Sequence, residues 1–142
     1  MHEVHIGVTG TRFEPTQHQL TALASFFQEL TAVAKDNDYL VHLHHGDCVG
    51  ADVAVAEIAT GFGCKTICHP PTDEKLRAFH KSDIILPAKT YFARNRDIVD
   101  ESKTLLVVPF QMEWQPHGGT WYTHDYAEKK DVFRQMFWPE AK

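Results

Sequence analysis

The 142-residue chain carries 14 Lys and Arg against 19 Asp and Glu, a formal net charge of −5 with a pI near 6.0. This length predicts one domain over residues 1–142, and the acidic balance argues against a protein that grips nucleic acid, because neutralising phosphates needs clustered Lys and Arg. The chain also lacks an apolar run near the ~20 residues of a membrane span and an N-terminal signal-peptide pattern. We therefore expect a cytoplasmic protein with no membrane or nucleic-acid partner.

The first half of the chain predicts strands that alternate with helices. Residues 4–8 form a short apolar run that enters "TGTR", which is typical of a buried strand ending in a glycine turn. Thr16 has capping-box spacing with a glutamine three residues later, and apolar residues follow at helical intervals to about Asp36. A second strand is predicted at residues 39–44 and a second helix at about 51–60.

The second half continues this alternation. Its predicted elements are a strand at 65–68, a short polar helix or irregular loop at 72–83, a short strand at 83–87, a helix at 91–102, a buried strand at 104–110, a helix after "HGGT" and a weak strand at 132–138. Such an order favours an α/β fold, a Rossmann-like parallel sheet with helices on both faces. In these sheets ligands bind beyond the carboxyl ends of the strands, where the strand order reverses.

Four polar motifs follow predicted strands and should therefore meet at that edge. "GTR" offers close backbone approach and a guanidinium fork suited to phosphate or carboxylate, although a turn with a solvated arginine is the alternative. "HHGDCVGAD" makes a small-residue turn into a helix, where backbone N–H groups favour anions, and Asp52 could instead be a first-turn cap. "HPP" and "HGGT" are the other two motifs. The predicted ligand-binding residues are Gly10, Thr11, Arg12, Gly46, Asp47, Gly50, Ala51, Asp52, Pro70, Arg94, Asn95, Gly118, Gly119 and Thr120.

We expect two of these segments to bind phosphate most directly. Arg94 is predicted near a helix start, and we expect Arg12 and Arg94 both to face the phosphates of the ligand, although a solvated basic face would read the same way. The turn at residues 118–120 is of a phosphate-binding type but lacks the lysine of a P-loop. A Cβ at Gly119 should block phosphate approach or strain a positive φ angle. Trp121 could stack on a base or simply pack.

Histidines and cysteines are numerous without forming a ligand pattern. His42 and His44 alternate along a predicted strand with no acidic ligand set beside them in sequence, so we expect no metal and no cofactor. Cys48, Cys64 and Cys68 lack the paired spacing of a zinc site or a disulfide framework and are predicted to be free thiols.

The segments "GVTGTR", "HHGDCVGAD", "HPP", "YFARNRDIVDES", "LLVVP" and "GGTWYTHDYA", in this order, resemble the SLOG superfamily, named for the DprA/Smf proteins and the Lonely Guy phosphoribohydrolases. The likeness spans residues 4–130, in particular to small standalone members of bacteria and phages. It implies a Rossmann-like fold that binds nucleotides or nucleotide-derived ligands, including cyclic ADP-ribose signals in antiviral sensor domains. It also implies a homo-oligomer, a dimer or higher, and a phage member could act as a sponge for such a signal.

The hydrolase branch of that superfamily cleaves an N-glycosidic bond with a glutamate in a PGGxGTxxE motif. The resemblance places Arg94 at the family's helical arginine and Pro109 at its strand end, but Thr123 stands where the glutamate would be. A threonine cannot protonate a leaving base or stabilise an oxocarbenium ion as a carboxylate does. The resemblance therefore implies binding without turnover. The alternative is an N-glycosidase or phosphoribohydrolase that takes its carboxylate from Asp47 or Asp52.

Overall fold

The computed structural model describes residues 1–142 and contains six strands and four helices. In chain order they are β1 (His2–Gly10), α1 (Gln17–Asp36), β2 (Tyr39–His45), α2 (Ala51–Gly61), β3 (Lys65–Cys68), β4 (Ile84–Ile85), α3 (Tyr91–Asp100), β5 (Thr104–Val108), α4 (Gly119–Lys129) and β6 (Phe133–Met136). All six strands pair in parallel, in the order β4-β3-β2-β1-β5-β6. The predicted α/β fold with a Rossmann-like parallel sheet is confirmed.

The sheet changes direction of growth at its centre, between β1 and β5. β1 pairs with β2 from His2 opposite Tyr39, and with β5 from Ile6 opposite Thr104. The chain adds β2, β3 and β4 on one side of β1 and then crosses over to place β5 and β6 on the other. A crevice at the carboxyl ends of β1 and β5 is therefore the expected ligand position in a doubly wound sheet.

β5 shows why its sequence is an unbroken apolar run. Leu106 and Val108 pack in the core beneath α1 and α2, while Leu105 and Val107 pack in the core beneath α3 and α4. A central strand of a parallel sheet is covered on both faces, so every position is apolar rather than every second one. The run was predicted to reach residue 110, but the strand ends at Val108, because the following proline has no backbone N–H to donate.

The side chain of Gln19 connects the start of α1 to the segments that follow β5 and β6. Thr16 and Gln19 form the predicted capping box, with the Thr16 side chain accepting from the Gln19 backbone N–H. The buried Gln19 amide also donates to the carbonyls of Pro109 at 2.8 Å and Phe137 at 2.9 Å. Gln19 therefore fixes α1 against the segments that leave β5 and β6.

Residues 72–83 form no helix and β4 has only two residues, so the irregular-loop alternative for this segment is the correct one. Arg77 anchors the loop by donating to the buried Asp47 carboxylate at 2.9 Å. None of the helices has the length and apolar character that crossing a membrane requires.

Candidate ligand-binding cleft

A cleft of about 510 Å³ opens at the carboxyl ends of β1 and β5. Its volume falls within the range of roughly 300–1,000 Å³ that is usual for small-molecule sites. The walls come from the loop after β1, the turn before α2, the first half of α3, the loop after β5 and the start of α4. The predicted residues that line it are Gly10, Thr11, Arg12, Asp52, Arg94, Asn95, Gly118, Gly119 and Thr120.

The other predicted residues do not line this cleft; they are Gly46, Asp47, Gly50, Ala51 and Pro70. Two of them hold its wall from behind. Gly50 has a φ of +93°, and a Cβ there would lie 2.4 Å from the backbone carbonyl carbon of Arg12. The Ala51 N–H donates to the Thr11 carbonyl at 2.9 Å. The turn before α2 therefore positions the loop after β1, which only a glycine at position 50 allows.

Arg94 is a buried strut rather than a free anion receptor. Its side chain donates to the carbonyls of Gly46 and His69, the latter at 3.1 Å, to the Asn95 side chain, and to Cys48 Sγ at 3.3 Å. Four of the five N–H groups of the guanidinium are thus used inside the protein. Direct phosphate contact by Arg94 stays a prediction, and its hydrogen bonds favour an indirect role in which it holds the walls of the cleft together.

Arg12 has the opposite character. It is exposed at the rim of the cleft, and its guanidinium forms no hydrogen bond or ion pair within the chain. The guanidinium carbon lies 5.1 Å from the ring centroid of Phe13, which holds the side chain over an apolar surface. All of its N–H groups are available to an anion, and the planar fork suits phosphate or carboxylate.

The start of α4 presents a second unused set of donors. α4 begins at Gly119, and its N-cap Gly118 provides no side-chain hydrogen bond to the first turn. The first N–H groups of a helix have no partner within the helix, and together with the helix dipole they form a natural anion site. The positive φ, +95°, belongs to Gly118 and not to Gly119, because Gly119 is already in the helix. The expectation of a strained φ at Gly119 was wrong.

Aromatic side chains line the cleft, and the sequence analysis identified only Trp121 among them. Phe13 and Phe110 stand on facing loops with ring centroids 5.0 Å apart, and they are 50% and 60% exposed. Tyr91, Phe92 and Trp121 also line the cleft. The sequence did carry one signal, because phenylalanines in loops have no place in the sheet core to explain them.

The cleft contains one carboxylate and one thiol. Asp52 accepts from the backbone N–H groups of Gly46 at 3.1 Å and Cys48 at 3.3 Å, and burial, opposed by the positive charge of Arg94, raises the pKa of Asp52 to about 6. Burial likewise raises the pKa of Cys48 to about 11, so its thiol is neutral at neutral pH and a poor nucleophile. All three cysteines are free, as predicted.

Two other residues that the hydrolase comparison brought forward offer nothing to this cleft. Asp47 is fully buried, and its carboxylate accepts from Arg77 at 2.9 Å and from the His80 backbone N–H at 3.0 Å. Thr123 is also buried, and its hydroxyl donates to the Gly119 carbonyl at 2.8 Å. Neither lines the cleft, so Asp52 is the one carboxylate there.

Comparison with known proteins adds the fold family. No protein-family model and no curated protein matches the sequence. Among solved structures, the chain resembles the molybdenum cofactor binding protein from Rippkaea orientalis, with a TM-score of 0.69 and 19% identity over 96% of this chain and 77% of that one. It also resembles the Moco carrier protein from Chlamydomonas reinhardtii, with a TM-score of 0.66 and 18% identity over 95% and 76%.

A third similar structure is DNA processing protein A from Helicobacter pylori, a protein that binds single-stranded DNA. Its TM-score is 0.60, with 19% identity over 94% of this chain and 64% of that one. The chain shares the fold of these structures, which supports the SLOG-type fold that the sequence resemblance implied. Identities this low show the fold alone, and what the neighbours bind differs from one to the next. The function has to be argued from the cleft.

Proposed function

We propose that the chain binds a nucleotide-derived small molecule in the cleft at the carboxyl ends of β1 and β5 and holds it without turning it over. The observation that carries this proposal is the pair of unused anion donors on one cleft. Arg12 forms no hydrogen bond within the chain, and α4 starts at Gly119 without a side-chain cap. A phosphate between them would receive charge-assisted and backbone hydrogen bonds together.

The aromatic residues support a ligand with a flat heterocycle beside its phosphate. Phe13 and Phe110 expose large ring surfaces in the cleft that Arg12 also lines, whereas Trp121 is only 3% exposed and packs in the protein without a free ring face. Base–aromatic stacking contributes about 1–3 kcal/mol per base. Within this class, we propose that the ligand is an ADP-ribose-type or cyclic nucleotide signal. The protein would then act as a sensor of that signal or as a phage-encoded sponge.

Charge and cleft size support a small molecule more than a nucleic acid. The solved neighbours include both kinds of binder, two for molybdenum cofactor and one for single-stranded DNA. A net charge of −5 opposes binding along a phosphate backbone, whereas a cleft of about 510 Å³ suits a compact ligand. We also propose that the protein has no nucleic-acid partner, is cytoplasmic and forms a homo-oligomer. Sedimentation velocity can test the oligomeric state.

One observation keeps an enzyme as the alternative. Asp52 lines the cleft, and burial raises its pKa to about 6, which is the range in which a carboxylic acid can donate a proton near neutral pH. An N-glycosidase or phosphoribohydrolase could use this group. Against that role, the Asp52 carboxylate already accepts two backbone hydrogen bonds that hold the turn before α2.

The experiment that separates these readings measures both binding and integrity of the ligand. The chain is titrated by calorimetry with AMP, ADP-ribose, cyclic ADP-ribose and a single-stranded oligonucleotide, and each mixture is then held for hours and resolved by chromatography. We expect saturable binding of a nucleotide that is recovered intact after heat denaturation. Release of free base at a catalytic rate, lost in Asp52→Asn, would establish the hydrolase instead. Tight binding of the oligonucleotide alone would contradict the small-molecule proposal.

A further inference from the structure

A row of histidines crosses the face of the sheet that is covered by α3. His5 from β1, His44 from β2 and His69 after β3 are joined nitrogen to nitrogen. His5 Nδ1 lies 2.7 Å from His44 Nε2, and His44 Nδ1 lies 2.8 Å from His69 Nε2. His44 and His69 are almost fully buried, and the ligand-binding cleft does not use them.

Glu101 brings a carboxylate to the end of this row. Its Oε2 lies 3.4 Å from His44 Nδ1 and 3.8 Å from His69 Nε2. Zinc bonds of about 2.0–2.2 Å in a tetrahedral site place ligand atoms roughly 3.3–3.5 Å apart, and the three measured separations bracket that value. We propose that His44 Nδ1, His69 Nε2 and Glu101 Oε2 bind a divalent ion of the zinc type, with a fourth position left to solvent.

The sequence could not show this site. No acidic residue lies beside His44 in the sequence. Glu101 is 57 positions away, and only the packing of α3 on the sheet brings it near. Two imidazoles and one carboxylate form a borderline donor set that suits Zn²⁺ and not Mg²⁺ or Ca²⁺. The expectation of no metal is therefore revised for this cluster.

The orientation of the rings separates this cluster from the neighbouring one. A metal bonds an imidazole nitrogen in the plane of the ring. The rings of His5 and His42 are stacked at 10° with centroids 4.7 Å apart, so their planes cannot both contain one ion, although Glu3 lies within reach of both. The rings of His44 and His69 are inclined at 40° with centroids 5.1 Å apart, which lets their planes converge.

Charge and access also favour an ion beside Glu101. The Glu101 side chain is 53% exposed, which leaves a route from solvent. Glu101 is also the C-cap of α3, where the negative end of the helix dipole favours a cation.

A further hydrogen bond would orient the first ligand. With the metal on His44 Nδ1, the proton of His44 is on Nε2 and is donated to His5 Nδ1. His5 then carries its own proton on Nε2 and donates it to Glu3 at 3.0 Å. Metal-bound histidines usually donate their second N–H in this way, which fixes the tautomer. The ion would replace the N–H···N hydrogen bond between His44 and His69.

The test uses the full chain without a polyhistidine tag, stripped of metal by a chelator and titrated with Zn²⁺ by calorimetry. We expect one ion per chain. Glu101→Gln should weaken Zn²⁺ binding at least ~10-fold, because it removes a direct ligand. Asp100→Asn is the matched control, since it removes the same charge one residue away at the same helix end, and it should change affinity by no more than about twofold. Both positions are exposed, and thermal unfolding of the metal-free variants checks that both fold.

Nitrogen-detected NMR of the histidine rings identifies the other ligands. We expect Zn²⁺ to shift His44 Nδ1 and His69 Nε2 most strongly. The proposal is overturned by the absence of stoichiometric binding, by equal losses in Glu101→Gln and Asp100→Asn, or by shifts centred on His5 and His42. Because none of these readouts involves a nucleotide, failure here would leave the proposal for the cleft untouched.

Discussion

Arg94 fills the space into which a side chain at Gly46 would point. The Arg94 guanidinium donates to the Gly46 carbonyl, and a Cβ built on Gly46 would lie 2.6 Å from the guanidinium carbon. The contact with Arg94 explains why position 46 is a glycine although it does not line the cleft. Because Arg94 is only 4% exposed and bonded on several sides, it has little room to move aside.

The first prediction follows from that contact. Gly46→Ala should lower the free energy of unfolding by about 1–3 kcal/mol, the usual cost of overpacking a buried site. Gly61→Ala is the control, because Gly61 ends α2 with open space around its Cβ position and no positive φ, and it should be neutral or stabilising by up to ~1 kcal/mol. Urea denaturation measures both. Equal stability of the two variants would show that Arg94 yields freely.

The second prediction separates the two arginines of the cleft. Arg12→Ala should weaken binding of ADP-ribose or AMP at least ~10-fold, since a charge-assisted hydrogen bond contributes about 1.5–3 kcal/mol, while the stability of the empty protein stays within about 0.5 kcal/mol. Calorimetry and thermal unfolding give the two numbers. Arg96→Ala, which removes an exposed arginine bonded to Tyr122, is the matched control and should bind normally.

Arg94→Ala should behave differently from Arg12→Ala and destabilise the protein even when the cleft is empty. Removal of the side chain leaves the carbonyls of Gly46 and His69 without their donor, and each unsatisfied buried group costs about 1–3 kcal/mol. We expect a loss of at least ~2 kcal/mol in the free energy of unfolding even without ligand. An unchanged melting temperature for this variant would contradict the structural role of Arg94 and favour direct contact with phosphate instead.

The third prediction concerns the turn that opens α4. Gly119 is helical with open space around its Cβ position, the nearest atom being Asn95 Nδ2 at 3.9 Å, so Gly119→Val should fold. A valine there would still stand between the helix N-terminus and a phosphate, so nucleotide binding should be lost. Gly118→Ala should instead lower stability by about 1–3 kcal/mol, because its φ of 95° and ψ of 150° lie in a region that is essentially restricted to glycine. A folded Gly119→Val protein with full affinity would reduce this turn to a structural one.

The fourth prediction is a dependence of stability on pH that comes from Asp52. Burial raises its pKa from 3.8 to about 6, so the folded protein holds this proton more tightly than the unfolded chain. The contribution of Asp52 to the free energy of unfolding therefore falls as pH rises from about 4 to about 6. Asp52→Asn cannot ionise, and it should gain up to roughly 3 kcal/mol relative to the parent across that interval. Parallel stability curves for the two proteins would show an ordinary Asp52.

The fold could be predicted closely because its signals are local. The apolar run of β5, the capping box at Thr16 and the alternation of strands with helices each depend on neighbouring residues. The predicted boundaries of the strands and helices agree with the structure to within about two residues, the usual uncertainty at element ends. The sequence predicted a ligand site at the carboxyl ends of the strands, but the strand order that puts the cleft beyond β1 and β5 came from the structure.

The roles of individual side chains could not be predicted in the same way. Arg12 and Arg94 look alike in the sequence, and only long-range packing on Gly46 and His69 makes one of them a buried strut. Asp47 likewise accepts a hydrogen bond from Arg77, which lies in a loop 30 positions away. Hydrogen bonds between distant segments leave no periodic trace in a sequence, so the group that a polar residue contacts has to come from the structure.

Native mass spectrometry of the purified chain tests the central claim most directly. The proposal predicts a bound mass of one nucleotide-derived molecule per chain, either co-purified or acquired from a mixture of AMP, ADP-ribose and cyclic ADP-ribose. That mass should be recovered unchanged after denaturation, should be strongly reduced in Arg12→Ala and absent from Gly119→Val, and should be retained by Arg96→Ala. A parent protein that binds none of these compounds, or that binds them equally well without Arg12 and Gly119, would contradict the account of this cleft.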